Sequence, residues 1–377
     1  MSSLFTPLRV GAYTLPNRIC LAPLTRCRAD SGTFAANALM AAHYAARADA
    51  GLLIMEATVI SEEARGFPNT PGCTSPAQIE GWKGVLNAIR AKGTGARAFL
   101  QLWHQGRTAS RELSGKDPIG PSAIGGWKNG FGGVGEACKE MSVDDIKRVL
   151  EEYRRASECA LEAGFDGVEI HGANGYLPNQ FLAMSSNKRT DEYGGDIPRR
   201  ARFLLEATRA AISVYGADKV GVRISPASHW QDIHDDDPVA TYKYVAKELH
   251  ALKVAYVHVV EPRNTGLTST PEEGSVDASL TGAAIREFGY GGVILSAGGH
   301  DFNSGTEYLA KGSADAVVYG RWFISNSDLV RRFELMSKGE TVKINEYNRD
   351  TFYGGGAVGY NDYPLLDSST GAGAGAI

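Results

Sequence analysis

Residues 141–176 read MSVDDIKRVLEEYRRASECALEAGFDGVEIHGANGY, and one unit of the fold is contained in them. The apolar positions Val143, Ile146, Val149, Leu150, Tyr153, Ala156 and Ala160 recur at helical spacing. Ser142 with Asp145 three residues on forms a capping-box pattern, and Gly164 stands where a helix stops. A short apolar run, Gly167–His171, follows at once. Such a run, too short for a helix and without polar alternation, reads as a strand buried on both faces.

The unit recurs in both directions. Strand-like runs lie at Ile19–Thr25, Leu52–Ile60, Ala98–His104, Gly167–His171, Val220–Ser225, Tyr256–Val260, Gly292–Ala297 and Ala316–Phe323. Helix-like stretches separate them: Asn37–Ala48, Pro76–Gly93, Met141–Gly164, Ile197–Gly216, Pro238–Leu252, Ser279–Gly289, Asn303–Gly312 and Asp328–Gly339. Eight strand–helix steps of roughly 40 residues predict a closed (β/α)8 TIM barrel of the α/β class, with a doubly wound open sheet as the alternative. The whole chain, 1–377, then forms one domain. Residues 106–140 carry nine glycines and fall at the third βα connection, so a loop insertion over the C-terminal face is expected there. Residues 365–377 end in a low-complexity Gly-Ala repeat and read as a loose tail.

Apolar residues make up 43% of the 377 and charged residues 22%, a composition that supports a large core and excludes general disorder. The net charge of −4 offers no sequence-independent grip on nucleic acid. The five cysteines include no C-x-x-C pair, which argues against a disulfide framework or structural zinc and for a reducing compartment. No apolar run reaches a membrane span, and the first residues lack a signal-peptide pattern, so a cytoplasmic protein is expected.

Barrels hold their chemistry at the C-terminal strand ends. There the sequence offers Pro23-Leu24-Thr25-Arg26, Glu56-Ala57-Thr58, Gln101-Leu102-Trp103-His104, His171-Gly172-Ala173-Asn174-Gly175-Tyr176 and Arg223. The last two ends are Gly298-Gly299 and Gly320-Arg321, where backbone N–H groups and a guanidinium suit a phosphate; the competing reading is that the glycines are only turn residues. His171 and Asn174, three apart after strand four, can both donate to one carbonyl oxygen, and the Tyr176 phenol can deliver a proton. The competing reading of His171 is structural. Glu56 and Glu169 remain carboxylate candidates. No metal site is expected: Asp235-Asp236-Asp237 reads as a solvated loop capping the helix at Pro238, and the histidines lack ligand spacing. Gly354-Gly-Gly-Ala-Val-Gly359 matches G-x-G-x-x-G without the strand before it or the helix after it that dinucleotide binding requires. Cys27 lies near strand one with nothing to mark it as reactive.

Long ordered blocks carry a resemblance over nearly the whole chain. They are Leu4-Phe5-Thr6-Pro7-Leu8, Leu15-Pro16-Asn17-Arg18-Ile19, Ala22-Pro23-Leu24-Thr25-Arg26, Gln101–Arg107, Phe165–His171, Asn187–Gly195, Tyr353–Tyr360 and Asp362-Tyr363-Pro364. The chain resembles the old yellow enzymes, FMN-dependent ene-reductases that use NADPH to reduce α,β-unsaturated carbonyls, and is also similar to plant 12-oxophytodienoate reductases. The resemblance implies a non-covalent FMN with Thr25 at the flavin O4, Pro23, Leu24 and Ala57 along the ring, and Gln101 and Arg223 at the pyrimidine side. It implies that Gly298, Gly299, Gly320 and Arg321 hold the phosphate. His171 and Asn174 would bind the substrate carbonyl oxygen, Tyr176 would protonate the α-carbon, and Trp103 and Tyr353 would shape the pocket. Thr25 and Asn174 match the branches with threonine at the flavin and a His/Asn oxygen clamp. Glu261-Pro262-Arg263 resembles the segment where the plant enzymes place a substrate-contacting arginine, which makes Arg263 a pocket candidate.

The resemblance also implies that the partners are a nicotinamide and a small-molecule acceptor. Reduction of nitro compounds, quinones or a specialised lipid-derived substrate would use the same site. A barrel that retains FMN as a sensor, or a cofactor-free phosphate-binding barrel enzyme, are the alternatives from other classes. The choice between NADPH and NADH and between monomer and homodimer stays open at this level.

Overall fold

The computed structural model describes residues 3–262 and 278–366. Eight parallel strands close into one barrel: β1 (Ile19–Leu21), β2 (Leu52–Val59), β3 (Arg97–Trp103), β4 (Gly167–Gly172), β5 (Val220–Ile224), β6 (Tyr256–Val260), β7 (Ile294–Ala297) and β8 (Ala316–Tyr319). Each pairs with its sequence neighbour, and β8 returns to β1 through Val317↔Ile19, Val318↔Cys20 and Tyr319↔Leu21. That closure makes the fold a (β/α)8 TIM barrel and excludes the open sheet. A hairpin of Leu8–Val10 and Tyr13–Leu15 precedes the barrel.

The principal helices are α1 (Ala38–Ala45), α2 (Pro76–Arg90), α3 (Val143–Ala163), α4 (Ile197–Tyr215), α5 (Pro238–Leu252), α6 (Gly282–Glu287), α7 (Phe302–Ala310) and α8 (Leu329–Ser337). Their starts are set by side chains. Asn37, Ser75, Ser142, Asp196, Asp237, Thr281 and Asp301 each accept a first-turn N–H, a contact worth about 1 kcal/mol per cap. The Ser142/Asp145 capping box forms as the sequence predicts, and Gly164 ends α3 at φ 97°.

Two apolar cores result from the strand alternation. Outward residues such as Leu53, Leu100, Ile170 and Val222 meet the helices, whereas Cys20, Leu52, Ile54, Phe99, Tyr256 and Leu295 fill the barrel. An irregularity in β2 changes what reaches the barrel mouth. Between Met55↔Leu100 and Thr58↔Leu102, β2 carries one residue more than β3. Glu56 thereby turns to α1, where it accepts from the Tyr44 hydroxyl at 3.0 Å, while Ala57 faces the mouth. Burial pushes the Glu56 carboxyl up to about 7, and Glu56 is not among the side chains at the mouth, which removes it as a candidate base.

Expectations from the sequence change at two strand ends and at one helix. The first run ends as a strand at Leu21, and the eighth at Tyr319; Gly320 breaks the strand and Arg321–Ser325 makes a short helix. The helix expected over Ser279–Gly289 is instead a single-turn segment at Ala278–Leu280 followed by the six residues of α6. The insertion at 106–140 has small elements of its own: a helical turn at Arg111–Ser114 and a parallel pairing of Ile119–Gly120 with Lys139–Glu140. No helix among the described residues is long and apolar enough to cross a membrane. Residues 367–377, most of the expected tail, lie outside the described residues.

Candidate active site

A cavity of about 310 Å³ opens at the C-terminal ends of the strands. Of the candidates named from the sequence, Pro23, Leu24, Thr25, Ala57, Gln101, Trp103, His171, Asn174, Tyr176, Arg223, Gly298, Gly299, Gly320, Arg321 and Tyr353 line it, the carboxylates Glu56 and Glu169 do not, and Arg263 lies outside the described residues.

One wall comes from β3, β4 and β5. Strand alternation turns Gln101, Trp103, His171 and Arg223 toward the barrel axis, and register places Gln101 beside Glu169 and His171 beside Arg223. Four buried polar atoms on this wall have no partner among the described residues: Gln101 Oε1, Trp103 Nε1, His171 Nδ1 and Arg223 Nε. Native proteins seldom bury such atoms unpaired, because each costs about 1–3 kcal/mol. Burial first, then the neighbouring Arg223 and His258, holds the His171 pKa well below the usual imidazole range, so the ring is neutral. His171 is still within β4, not on the turn after it.

The turn beyond uses two left-handed residues in a row, Asn174 at φ 57° and Gly175 at φ 76°. The Asn174 N–H donates to Ser225 Oγ at 2.8 Å and the Gly175 N–H to Asn179 Oδ1 at 2.9 Å, which fixes the strained pair. A side chain at Gly175 would run into the Trp230 carbonyl and Gln231. The chain then delivers Tyr176 against Trp103 and His171, edge to face, with ring centroids 4.9 Å apart in both contacts. Burial raises the Tyr176 pKa, so the phenol keeps its proton.

The opposite wall is mostly backbone. Gly298 at φ 145° and Gly299 at φ 80° follow β7. A Cβ on Gly298 would lie 2.9 Å from that of Glu261. The start of α7 beyond these glycines is already occupied, because the Asp301 carboxylate accepts the Ser304 N–H there at 2.8 Å. The anion-compatible surface is therefore the two glycines together with Gly320, a cap that contributes no side-chain bond, and Arg321. Arg321 also contacts Tyr347, its guanidinium 5.7 Å from the ring centroid.

These two walls fit a flavin mononucleotide: unpaired side-chain atoms for a polar ring edge on one side, an apolar floor of Pro23, Leu24 and Ala57, and a glycine and arginine cradle on the other.

Sequence reasoning missed several lining residues. Phe67, Phe131 and Phe352 come from loops and Trp230 from a single 3-10 turn, where no periodicity marks an aromatic side chain as inward. Phe131 belongs to the 106–140 insertion, which therefore contributes to the mouth. The glycine-rich 354–359 stretch acquires a structural role instead. Arg26 donates to the Phe352 and Gly359 carbonyls at 2.9 and 2.7 Å, and Arg28 to those of Gly356, Thr351 and Val358 at 2.7–3.0 Å. Both arginines lie over the Tyr360 ring, and His43 stacks on its plane 3.8 Å between centroids. This clamp holds the C-terminal arm that carries Tyr353.

Other candidates are placed outside the cavity. Asp237 caps α5 as expected, but the Asp235 side chain is only 7% exposed rather than solvated, paired with Arg200 at 3.0 Å. Glu261 is buried and accepts from Ser296 at 2.7 Å and from the Gly282 N–H. Cys27 is buried, its thiol pushed up to about 12 chiefly by burial, which makes a poor nucleophile.

A family model described as NADH:flavin oxidoreductase / NADH oxidase family matches residues 3–338. The chain is 41% identical over 381 residues to 12-oxophytodienoate reductase 7 of Oryza sativa subsp. japonica, covering 96% of this chain and 94% of that protein. It superposes on a structure of morphinone reductase in complex with tetrahydroNAD with a TM-score of 0.87 and 40% identity, covering 99% of this chain and 100% of the other. It matches an old yellow enzyme homologue from Zymomonas mobilis with a TM-score of 0.88 and 38% identity, over 97% and 100% of the two chains. Sequence, barrel and cleft agree with these likenesses, and the chain belongs to the NADH:flavin oxidoreductase / NADH oxidase family, as one of the old yellow enzymes.

Proposed function

We propose that this protein is an NADPH-dependent ene-reductase that saturates the C=C bond of α,β-unsaturated carbonyl compounds on a non-covalent FMN. The observation that carries the reading is the meeting of His171, Asn174 and Tyr176 with unpaired Gln101 and Arg223 atoms on one wall and the Gly298, Gly299, Gly320 and Arg321 cradle on the other. When bound, FMN supplies the two-electron carrier between a nicotinamide donor and the acceptor.

The residues of the chain do the rest. The cradle would hold the phosphate, Pro23, Leu24 and Ala57 would pack against the ring, and Thr25, Gln101 and Arg223 would meet its polar edges. Arg223 places a buried cation where negative charge develops. His171 and Asn174 orient the acceptor by donating to its carbonyl oxygen, which draws electron density from the β-carbon. A neutral His171 suits this task, since a donor that keeps its own proton polarises the oxygen without a competing acid step. Tyr176 releases its proton to the α-carbon, and its raised pKa keeps that proton in place until charge builds there. Trp103 and Tyr353 would shape the pocket around a flat acceptor. The test is to purify the protein, record its visible spectrum and follow NADPH oxidation with a cyclic enone. A yellow protein that yields the saturated ketone is expected; a colourless protein that FMN does not reconstitute overturns the reading.

A further inference from the structure

Glu169 lies two residues before His171 on β4, wholly buried inside the barrel. Nothing in the catalytic reading uses it. Its carboxylate accepts from Gln101 Nε2 at 2.7 Å and from His258 Nδ1 at 2.9 Å, and both partners are also wholly buried. Register explains the first contact, because Glu169 and Gln101 are paired residues of adjacent strands. The second crosses to β6 past β5, whose residue in register with Glu169 is Gly221 and has no side chain to intervene.

A carboxylate accepts and does not donate, whereas the Gln101 carboxamide has a donor end and an acceptor end. At 2.7 Å the end facing Glu169 must be the NH2, since two oxygens would repel. The acceptor Oε1 is thereby turned away from Glu169, buried and unpartnered, on a residue that lines the cleft. His258, which burial keeps neutral, takes the second carboxylate oxygen through Nδ1–H and prevents the acid from swinging.

We propose that Glu169 is a positioning residue that sets the orientation of the Gln101 amide so that an acceptor faces the cofactor. The pyrimidine edge of a flavin carries one N–H between two carbonyls, and Gln101 Oε1 is the acceptor matched to that N–H. This rests on the reading that FMN occupies the cleft. A reversed amide would set NH2 against N–H and lose the bond.

The test compares Glu169→Gln, Gln101→Met and the double variant. Glutamine at 169 can donate, so the Gln101 amide is free to reverse. FMN affinity of the apoprotein, read by flavin fluorescence quenching, should fall roughly tenfold in each single variant, the effect of about one lost buried hydrogen bond. If Glu169 acts through Gln101, the double variant should be no weaker than Gln101→Met. Additive losses, or wild-type affinity in Glu169→Gln, overturn the proposal. A second readout needs no variant: in wild-type protein loaded with 15N-labelled FMN, the N3 resonance should show a hydrogen-bonded proton protected from exchange. A freely exchanging N3 proton contradicts the proposal while leaving enone reduction by the same sample, and hence the catalytic reading, intact. Failure of the wild-type protein to take up FMN at all would overturn both.

Discussion

The wall of the cleft built by β3, β4 and β5 meets its ligand with side chains, while the wall built after β7 and β8 meets it with main chain. On the first, Gln101, Trp103, His171 and Arg223 each bury a polar atom that no group among the described residues satisfies. On the second, Gly298 and Gly299 hold positive φ values that bring the backbone to the surface, and Arg321 supplies the charge. The side-chain wall stores its specificity as unpaired polarity, which needs further buried residues such as Glu169 and His258 to keep it oriented. The backbone wall stores it as shape, which a single added methyl disturbs. Chemistry and cofactor retention should therefore separate by wall.

Replacing His171 and Asn174 together with alanine should cost the largest effect, about 10²–10³-fold in kcat/KM for enone reduction, with FMN retained. Equal loss of FMN would erase the distinction between the walls. Tyr176→Phe should slow reoxidation of the reduced enzyme by enones about 10²-fold in stopped flow and leave the rate of bleaching by NADPH unchanged. Equal slowing of both halves would remove Tyr176 from proton delivery.

On the other wall, Gly298→Ala places a side chain at φ 145° against Glu261. A strain of about 1–3 kcal/mol predicts FMN binding weaker by roughly tenfold or more, measured by equilibrium dialysis. The protein that still carries FMN should turn over normally; a Gly298→Ala variant with unchanged affinity would show that the backbone wall does not hold the cofactor.

Acidity gives a smaller contrast, because one wall titrates. The depressed pKa of His171 means that the unfolded chain takes up the proton first as pH falls below about 6.5. Its neutral burial is costless above that value and destabilising below it. Glu56, raised to about 7, acts in the opposite sense, favouring the fold at low pH and losing that benefit as pH rises through 7. His171→Ala should make the decline of urea stability between pH 6 and 5 shallower by about 1.4 kcal/mol per pH unit, and Gly298→Ala should keep the wild-type slope. Identical slopes in all three proteins would contradict a neutral buried His171.

The two walls were also unequally legible in the sequence. The barrel followed from the spacing of apolar runs and from local caps such as Ser142 with Asp145, interactions between residues a few positions apart. His171, Asn174 and Tyr176 sit within six residues of one another, so their clustering could be read before any fold was known. The β2 irregularity could not, since it depends on pairing with β3, and Glu56 consequently read as a strand-end acid. The end of β8 was misread because Trp322 and Phe323 extend an apolar run that Gly320 has already broken. The clamp from Arg26 and Arg28 to the 351–359 arm joins segments more than 320 positions apart and leaves no local trace. The assignment of individual residues to flavin contacts came from the family resemblance, not from spacing.

The most direct measurement is a titration of the purified protein with a para-substituted phenol, followed by visible absorption and compared with the His171→Ala/Asn174→Ala variant. A long-wavelength charge-transfer band that grows with phenol in the wild type and is lost in the equally yellow variant is the predicted result. The same band at the same phenol concentration in both proteins would contradict the assignment of the oxygen clamp to the side-chain wall.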